Sequence, residues 1–278
     1  MKATYDHFSF AASKAMTWRY STSFSWAVSL LDKKIRADIY NIYGFVRLAD
    51  EIVDSFHGFD KERLLNQFEA TYDKARTDGI SINPIINSFI LTTNKYDIPD
   101  HLVKTFLQSM RSDLFKNTYQ SQDEFNEYVY GSADVVGLMC LKIFVNGDQK
   151  LYENLKPAAM RLGSGFQKVN FLRDLKQDVT DLNRSYFPNV DFDQLDSQSV
   201  RHIVEDIEAD FNHALKNGIL KLPKNARLGV YIAYNYYTAL LKKIKWSPVT
   251  RLKESRIRIS NFHKFILSIQ GYIKYKLS

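Results

Sequence analysis

The octapeptide RLADEIVD, Arg47 to Asp54, sets Asp50 and Asp54 four residues apart. On a helix the two carboxylates share one face, one turn apart, and like charges so placed repel by ~0.2–0.5 kcal/mol. The spacing returns at Asp174 and Asp178 in QKVNFLRDLKQDVTDLNRSYFP. There Gln167, Asn170, Asp174 and Asp178 fall on one helical face, opposite Val169, Leu172 and Leu175. A polar row on an apolar helix lines a cavity or a partner surface, because buried carboxylates are costly unless paired or metal-bound. Hard divalent cations take oxygen ligands, and Mg²⁺ combines one or two carboxylates with the phosphate oxygens of its substrate. Two facing aspartate helices could therefore hold Mg²⁺ against a diphosphate, with Arg47 and Arg173 neutralising the same oxygens. Bridging cations would offset the repulsion within each pair. One such acidic pair is ordinarily a solvated face; two, each beside an arginine on an apolar helix, are harder to read that way.

Other chemistries find less support. The six histidines contain neither HExxH nor an i,i+4 pair. There is no P-loop, and the glycines of GSGFQK, Gly163 and Gly165, lack the third glycine and preceding strand of a dinucleotide site. The single cysteine, Cys140, lies in the apolar run VVGLMCLKIFV, a poor setting for a nucleophile.

The elements that must position these residues read as helices almost throughout. Ile35, Ile39, Ile42, Tyr43, Val46, Ile52, Val53 and Phe56 recur near a 3.6-residue period, and KERLLNQFEATYDKA is another amphipathic helix. Only 11 Gly and 6 Pro occur in 278 residues, which favours long helices over a turn-rich β fold. Prolines 84, 99, 157, 223 and 248 are expected between helices or at their starts. A long helix is predicted from about Tyr152 to Leu182, followed by the loop NRSYFPNVDFDQLD. With 45% hydrophobic residues and no linker, residues 1–278 are read as one all-α domain.

Charge is unevenly distributed. Residues 214–278 carry 14 Lys or Arg against one acid, whereas the first 213 carry 24 against 30. A basic end invites nucleic acid, an anionic membrane or phosphorylated small molecules, or is simply a solvated face. The absence of a nucleic-acid motif argues against the first. In the tail NFHKFILSIQGYIKYKLS, residues Phe262, Phe265, Ile266, Ile269 and Ile273 form one stripe. A basic amphipathic helix of this kind lies on a membrane or packs onto the bundle as its last helix, and the latter is expected. One cysteine, no secretory signal and no uncharged apolar run of spanning length point to a reducing cytosol, with weak contact at the inner face of a membrane.

These segments together resemble the squalene/phytoene synthase family of head-to-head prenyl synthases. STSFSWAVSLL is similar to its serine-rich entry segment, IYGFVRLADEIVD to its first aspartate motif and YVYGSADVVG to its tyrosine segment. GFQKVNFLRDLKQDVTDLNRSYFP resembles its second aspartate motif, including the Arg-x-Tyr-x-Pro ending. The resemblance implies an all-α isoprenoid-synthase bundle around a deep cavity. It implies ionisation of one allylic diphosphate, attack by the double bond of a second, and a cyclopropylcarbinyl diphosphate that rearranges to the 1-1′ product. By position, Asp50, Asp54, Asp174 and Asp178 would bind Mg²⁺ or Mn²⁺, and Arg47, Asn170 and Arg173 would hold diphosphate. Ser21, Tyr43 and Tyr128 would line the reaction centre, with Gln167 flanking it, and Arg256 and Lys264 would cover a diphosphate. Asp134 stands where many relatives carry glycine.

Squalene-forming members use NADPH and often carry a C-terminal anchor. Neither a dinucleotide motif nor a spanning tail is present here, and DEIVD resembles the phytoene branch. Two geranylgeranyl diphosphates giving phytoene without NADPH is therefore expected, with two farnesyl diphosphates giving dehydrosqualene as the alternative. Non-catalytic relatives that act as assembly factors tend to lose the aspartates, and all four stand here.

Overall fold

The computed structural model describes residues 1–188 and 190–277, leaving aside the side chains of Asn261, Lys274, Lys276 and Leu277. Thirteen α-helices occur among the described residues. In order they are α1 Lys2–Tyr20, α2 Thr22–Ser29, α3 Lys33–Asp54, α4 Lys61–Asp78, α5 Pro84–Lys95, α6 Asp100–Ser112 and α7 Gln122–Val129. Then follow α8 Val135–Val145, α9 Gln149–Thr180, α10 Ser197–Asn217, α11 Lys224–Lys245, α12 Val249–Glu254 and α13 Asn261–Leu277. The only extended pairing among them is an isolated bridge between Thr118 and Ser185.

Local chemistry sets many of the helix starts. Asp32, Asp60, Asn83, Ser121, Asp148 and Asp196 each accept a hydrogen bond from a backbone N–H in the first turn of the helix they precede. Such caps satisfy donors that have no partner inside the helix. The apolar faces then assemble one core, with Phe45, Tyr72, Phe89 and Phe106 packed ring against ring between α3, α4, α5 and α6.

One element differs from the sequence expectation. Pro157 lies well inside α9. Its missing N–H denies the Glu153 carbonyl its usual helical donor, on an exposed side of the helix where water can serve instead. Between α7 and α8 the chain makes a π-helical turn, Tyr130–Asp134. Neighbouring helices clasp it closely. A Cβ at Gly131 would collide with the Ser109 hydroxyl of α6, and one at Gly163 of α9 would stand 2.9 Å from the Ala133 carbonyl oxygen. The continuous run Gln122–Val145 is long and apolar enough to cross a membrane by length and composition, yet most of it is buried in the body of the protein.

Candidate active site

The C-terminal halves of α3 and α9 supply most of the polar groups. Moving along α9 from Asp178 through Asp174, Asn170, Gln167, Phe166 and Gly163 to Leu155, one face passes from carboxylates to amides to hydrocarbon. On α3 the corresponding series is Asp54, Asp50, Tyr43, Ile42 and Ile39. Both helices thus aim their C-terminal ends at one acidic mouth, where the negative ends of their dipoles add to the carboxylate charge. Lys61 caps the end of α3, donating to the carbonyls of Val53 at 2.9 Å and Asp54 at 3.3 Å.

Guanidinium groups hold three of the four aspartates. Arg47 reaches Asp50 at 2.5 Å and also pairs with Glu51. Arg173 is bidentate to Asp174, at 3.0 and 2.5 Å, and Arg256 approaches the same carboxylate at 2.7 Å. Arg184 reaches Asp54 at 2.7 Å while its other arm donates to the Asp113 carbonyl at 2.8 Å. Among the described residues the Asp178 side chain has no such ion pair. Burial, then repulsion from Asp174 and Asp54, pushes it up to about 8. Burial and Asp54 likewise raise Asp50 to about 6. No three acidic, histidine or cysteine side chains converge as a ready-made metal cluster among the described residues. The donor set is nonetheless all oxygen, two carboxylates per helix, with excess negative charge that a hard divalent cation would relieve.

Below the mouth lies an apolar cavity of about 290 Å³. Two ring pairs stand in its wall: Phe24 stacks on Tyr43 at 4.7 Å, and Phe166 on Tyr237 at 4.0 Å. Tyr237 donates to the Asn170 amide oxygen at 3.2 Å, and Asn170 to Gln167 at 3.4 Å. Burial raises the Tyr43 phenol to about 12, against the pull of Arg47 and a hydrogen bond with Ser21, so it stays protonated. Leu31, Phe144, Leu155, Ile219 and Leu222 line the part remote from the aspartates. From Asn170 to Leu155 the lining follows 15 residues of α9, about 22 Å of helix. Cys140 also lines the cavity, its thiol raised to about 12 by burial alone, which suits a packing residue.

A second cavity, of about 390 Å³, has the opposite character. Arg19, Arg173, Arg256, Arg258 and Lys264 line it, with Ser21, Tyr20 and Tyr237. Arg256 and Lys264 are both held below their usual values, by burial first and then by repulsion from Arg173 and Arg258. Cations gathered this closely favour an anion among them. The two cavities adjoin, sharing Phe24, Ala233 and Tyr237.

Of the residues singled out in the sequence, Tyr43, Gln167 and Asn170 line the apolar cavity, and Ser21, Arg173, Arg256 and Lys264 the basic one. Tyr128, expected at the reaction centre, does not line either cavity. It is buried behind the acidic mouth, its hydroxyl donating to Asp113 at 3.0 Å and its ring stacked on Tyr186 and Phe171. Its bulk and its Asp113 partner draw it into that aromatic layer. Residue-by-residue reasoning missed Arg184, Asp113, Arg19, Arg258 and Tyr237. Arg184 has a signal, its place in the Arg-x-Tyr-x-Pro ending, but that pattern names no partner for it.

An all-helical bundle with two aspartate helices meeting above an apolar cavity is the architecture of isoprenoid synthases. The sequence profile of the squalene/phytoene synthase family matches residues 17–263, and the chain belongs to that family. It is 25% identical over 181 residues to a 15-cis-phytoene synthase of a Paracoccus species, covering 63% of this chain and 58% of that protein. It is 30% identical over 184 residues to the chloroplastic phytoene synthase 2 of Oryza sativa subsp. japonica, covering 61% of this chain and 43% of that one. The chain thus spans about half the length of these curated relatives. Among solved structures, a dehydrosqualene synthase in complex with ligand superposes with a TM-score of 0.83 at 20% identity, covering 98% of both chains. Squalene synthase HpnC from Alicyclobacillus acidocaldarius gives 0.75 at 21% identity, covering 87% of this chain and 96% of that one. At those identities the likeness is one of fold.

Proposed function

We propose that the chain condenses two prenyl diphosphates head to head, and that two geranylgeranyl diphosphates give phytoene. The observation that carries this is the junction at Phe24, Ala233 and Tyr237 of a cation-lined pocket with an apolar cavity, beside paired aspartates. That combination suits a molecule with a diphosphate head and a hydrocarbon tail. Asp50, Asp54, Asp174 and Asp178 would hold Mg²⁺ or Mn²⁺, which when bound supplies charge neutralisation for a departing diphosphate. Arg47, Arg173, Arg256, Lys264 and Asn170 bind and orient the diphosphates, and Ser21 fixes the Tyr43 hydroxyl.

In the reaction, the carbon–oxygen bond of one allylic diphosphate breaks and inorganic diphosphate leaves with the electron pair. The double bond of the second substrate attacks the resulting allylic cation, and proton loss closes a cyclopropane that still bears a diphosphate. A second ionisation, rearrangement and proton loss give the conjugated triene, with no reductant consumed. Cations of this kind survive only where water is excluded and ring faces supply negative potential. Phe24, Tyr43, Phe166 and Tyr237 offer such faces in the cavity wall.

Two farnesyl diphosphates giving dehydrosqualene is the second reading, favoured by the bulk of Phe144, Leu155 and Leu222 in the far lining, which limits chain length. The test is incubation of the purified protein with Mg²⁺ and each diphosphate separately, without NADPH, followed by extraction and mass analysis. A C40 hydrocarbon from the C20 substrate supports the proposal. A C30 triene from the C15 substrate selects the second reading, and product formed only with NADPH points to squalene. If neither diphosphate is consumed with Mg²⁺ or Mn²⁺, the catalytic reading fails and a non-catalytic scaffold role replaces it.

A further inference from the structure

Helix α13 packs the wrong way round for a last helix of a bundle. Its apolar stripe points outward: Phe262, Phe265, Ile269 and Ile273 are between 44% and 74% exposed. The face turned to the protein combines half-buried Ile266 and Leu267 with small and polar residues. The Ser268 hydroxyl bonds that of Tyr236 at 2.7 Å, Lys264 donates to Thr22 at 3.2 Å, and Gly271 lies buried where a Cβ would run into Ile232 of α11. The tail does pack onto the bundle as its last helix, against α11, but Ile266 alone of the stripe is half-buried and the rest of it faces outward. Gly271 and Ser268 let α13 approach α11 closely, and Phe262, Phe265, Ile269 and Ile273 are left outside.

The apolar surface continues onto α2, where half-exposed Trp26 meets the Phe265 ring edge to face at 6.1 Å. The neighbouring residues of α2, Phe24 and Ala27, line the apolar cavity, so the exposed face adjoins the cavity wall. Its surroundings are cationic. Lys243 bonds the Arg258 carbonyl at 2.6 Å, bringing two exposed cations to the start of α13, in a segment with 14 Lys or Arg against one acid. A two-fold contact between copies would press two such segments together, whereas an anionic surface would be attracted.

We infer that the outward face of α13, continued by Trp26, docks the protein on a membrane whose lipids carry negative charge. Aliphatic and aromatic side chains flanked by cations are what an interfacial helix inserts at the headgroup boundary. Because the apolar docking residues and Lys243 lie outside both cavities, docking does not rest on the proposed reaction, and it can be tested with no substrate present.

The experiment is sedimentation of the purified full chain with vesicles of phosphatidylcholine alone and of phosphatidylcholine with phosphatidylglycerol. Partition into the phosphatidylglycerol vesicles is expected, weakening as salt rises. The double variant Phe265→Asp, Ile269→Asp should lower it at least about tenfold with an unchanged melting midpoint, because both side chains are exposed. Lys243→Glu, which leaves the apolar face intact, should lower it by a smaller factor. Equal partition into both vesicle types, no partition at all, or undiminished binding by the double variant would overturn the inference. So would a wild-type dimer in light scattering that the double variant reduces to a monomer, which would assign the face to a second copy.

Discussion

Arg184 and Asp54, 130 residues apart in the chain, are joined by a 2.7 Å ion pair that ties the loop after α9 to the end of α3. The arginine is buried, and its remaining contacts are the Asp113 carbonyl and the Tyr186 hydroxyl. Its planar fork serves these acceptors at once, which a single ammonium cannot do. Arg184→Ala should lower stability by ~2–4 kcal/mol, because Asp54 loses its cation beside other carboxylates, and Arg184→Lys should recover less than half of that. Urea denaturation of the three proteins measures both.

Asp50→Asn and Asp174→Asn separate charge from shape. Asp50→Asn removes one of two mutually repelling carboxylates, so its melting midpoint should hold or rise slightly, whereas Asp174→Asn also takes the shared partner from Arg173 and Arg256 and should lower it. Diphosphate release should fall by at least about a hundredfold if the carboxylates bind the metal as proposed. Chelation of divalent ions should abolish release from the wild type, and added Mg²⁺ restore it. A variant that unfolds would make the carboxylate structural instead.

Asp134 gives the clearest dependence of stability on pH. It lies in the π-helical turn, faced by Lys168 and Arg161 of α9 and by Asp210 of α10, with Asp206 paired to Lys168 nearby. Burial, then the Asp210 charge, raises it to about 7, and its Oδ1 has no hydrogen-bond partner among the described residues. Below the unfolded value near 3.8 both states are protonated and the group has no effect. Between 3.8 and about 7 the unfolded chain loses its proton first, so stability falls as pH rises, then levels off. Asp134→Asn should therefore match the wild type at pH near 4 and exceed it by on the order of 2–4 kcal/mol above pH 7, read from denaturation at several pH values.

The far lining of the apolar cavity should set chain length. Phe144→Ala removes a ring there and should shift the preference between farnesyl and geranylgeranyl diphosphate toward the longer chain, at ~2–4 kcal/mol of stability. Competition between the two substrates in one incubation, analysed by product mass, reads the shift directly.

The charges of the basic pocket should appear in binding more than in turnover. Arg256→Ala relieves repulsion with Arg173 and Arg258, so the folded protein should tolerate it, but it takes away one cation beside Asp174. KM for the diphosphate should rise about tenfold while the melting midpoint stays within a degree or two.

What could be read from the sequence was local. Asp50 with Asp54, and Asp174 with Asp178, share faces because four residues make about one helical turn, whatever surrounds them. The apolar periods of α3 and α4, the long α9 and the loop after it are of the same kind, as is the family to which the motifs lead. Pro157 misled because its effect depends on whether water reaches one carbonyl, which is a matter of exposure. For Tyr128 a motif assigns only a neighbourhood, while stacking against Tyr119, Phe171 and Tyr186 chose the side on which the ring sits. Only the tertiary structure could pair Arg184 with Asp54, set the cationic pocket beside the apolar cavity, and turn the stripe of α13 outward. Those arrangements rest on contacts between residues tens to hundreds of positions apart, decided by which helix faces can approach closely, and no periodicity within one segment encodes that choice.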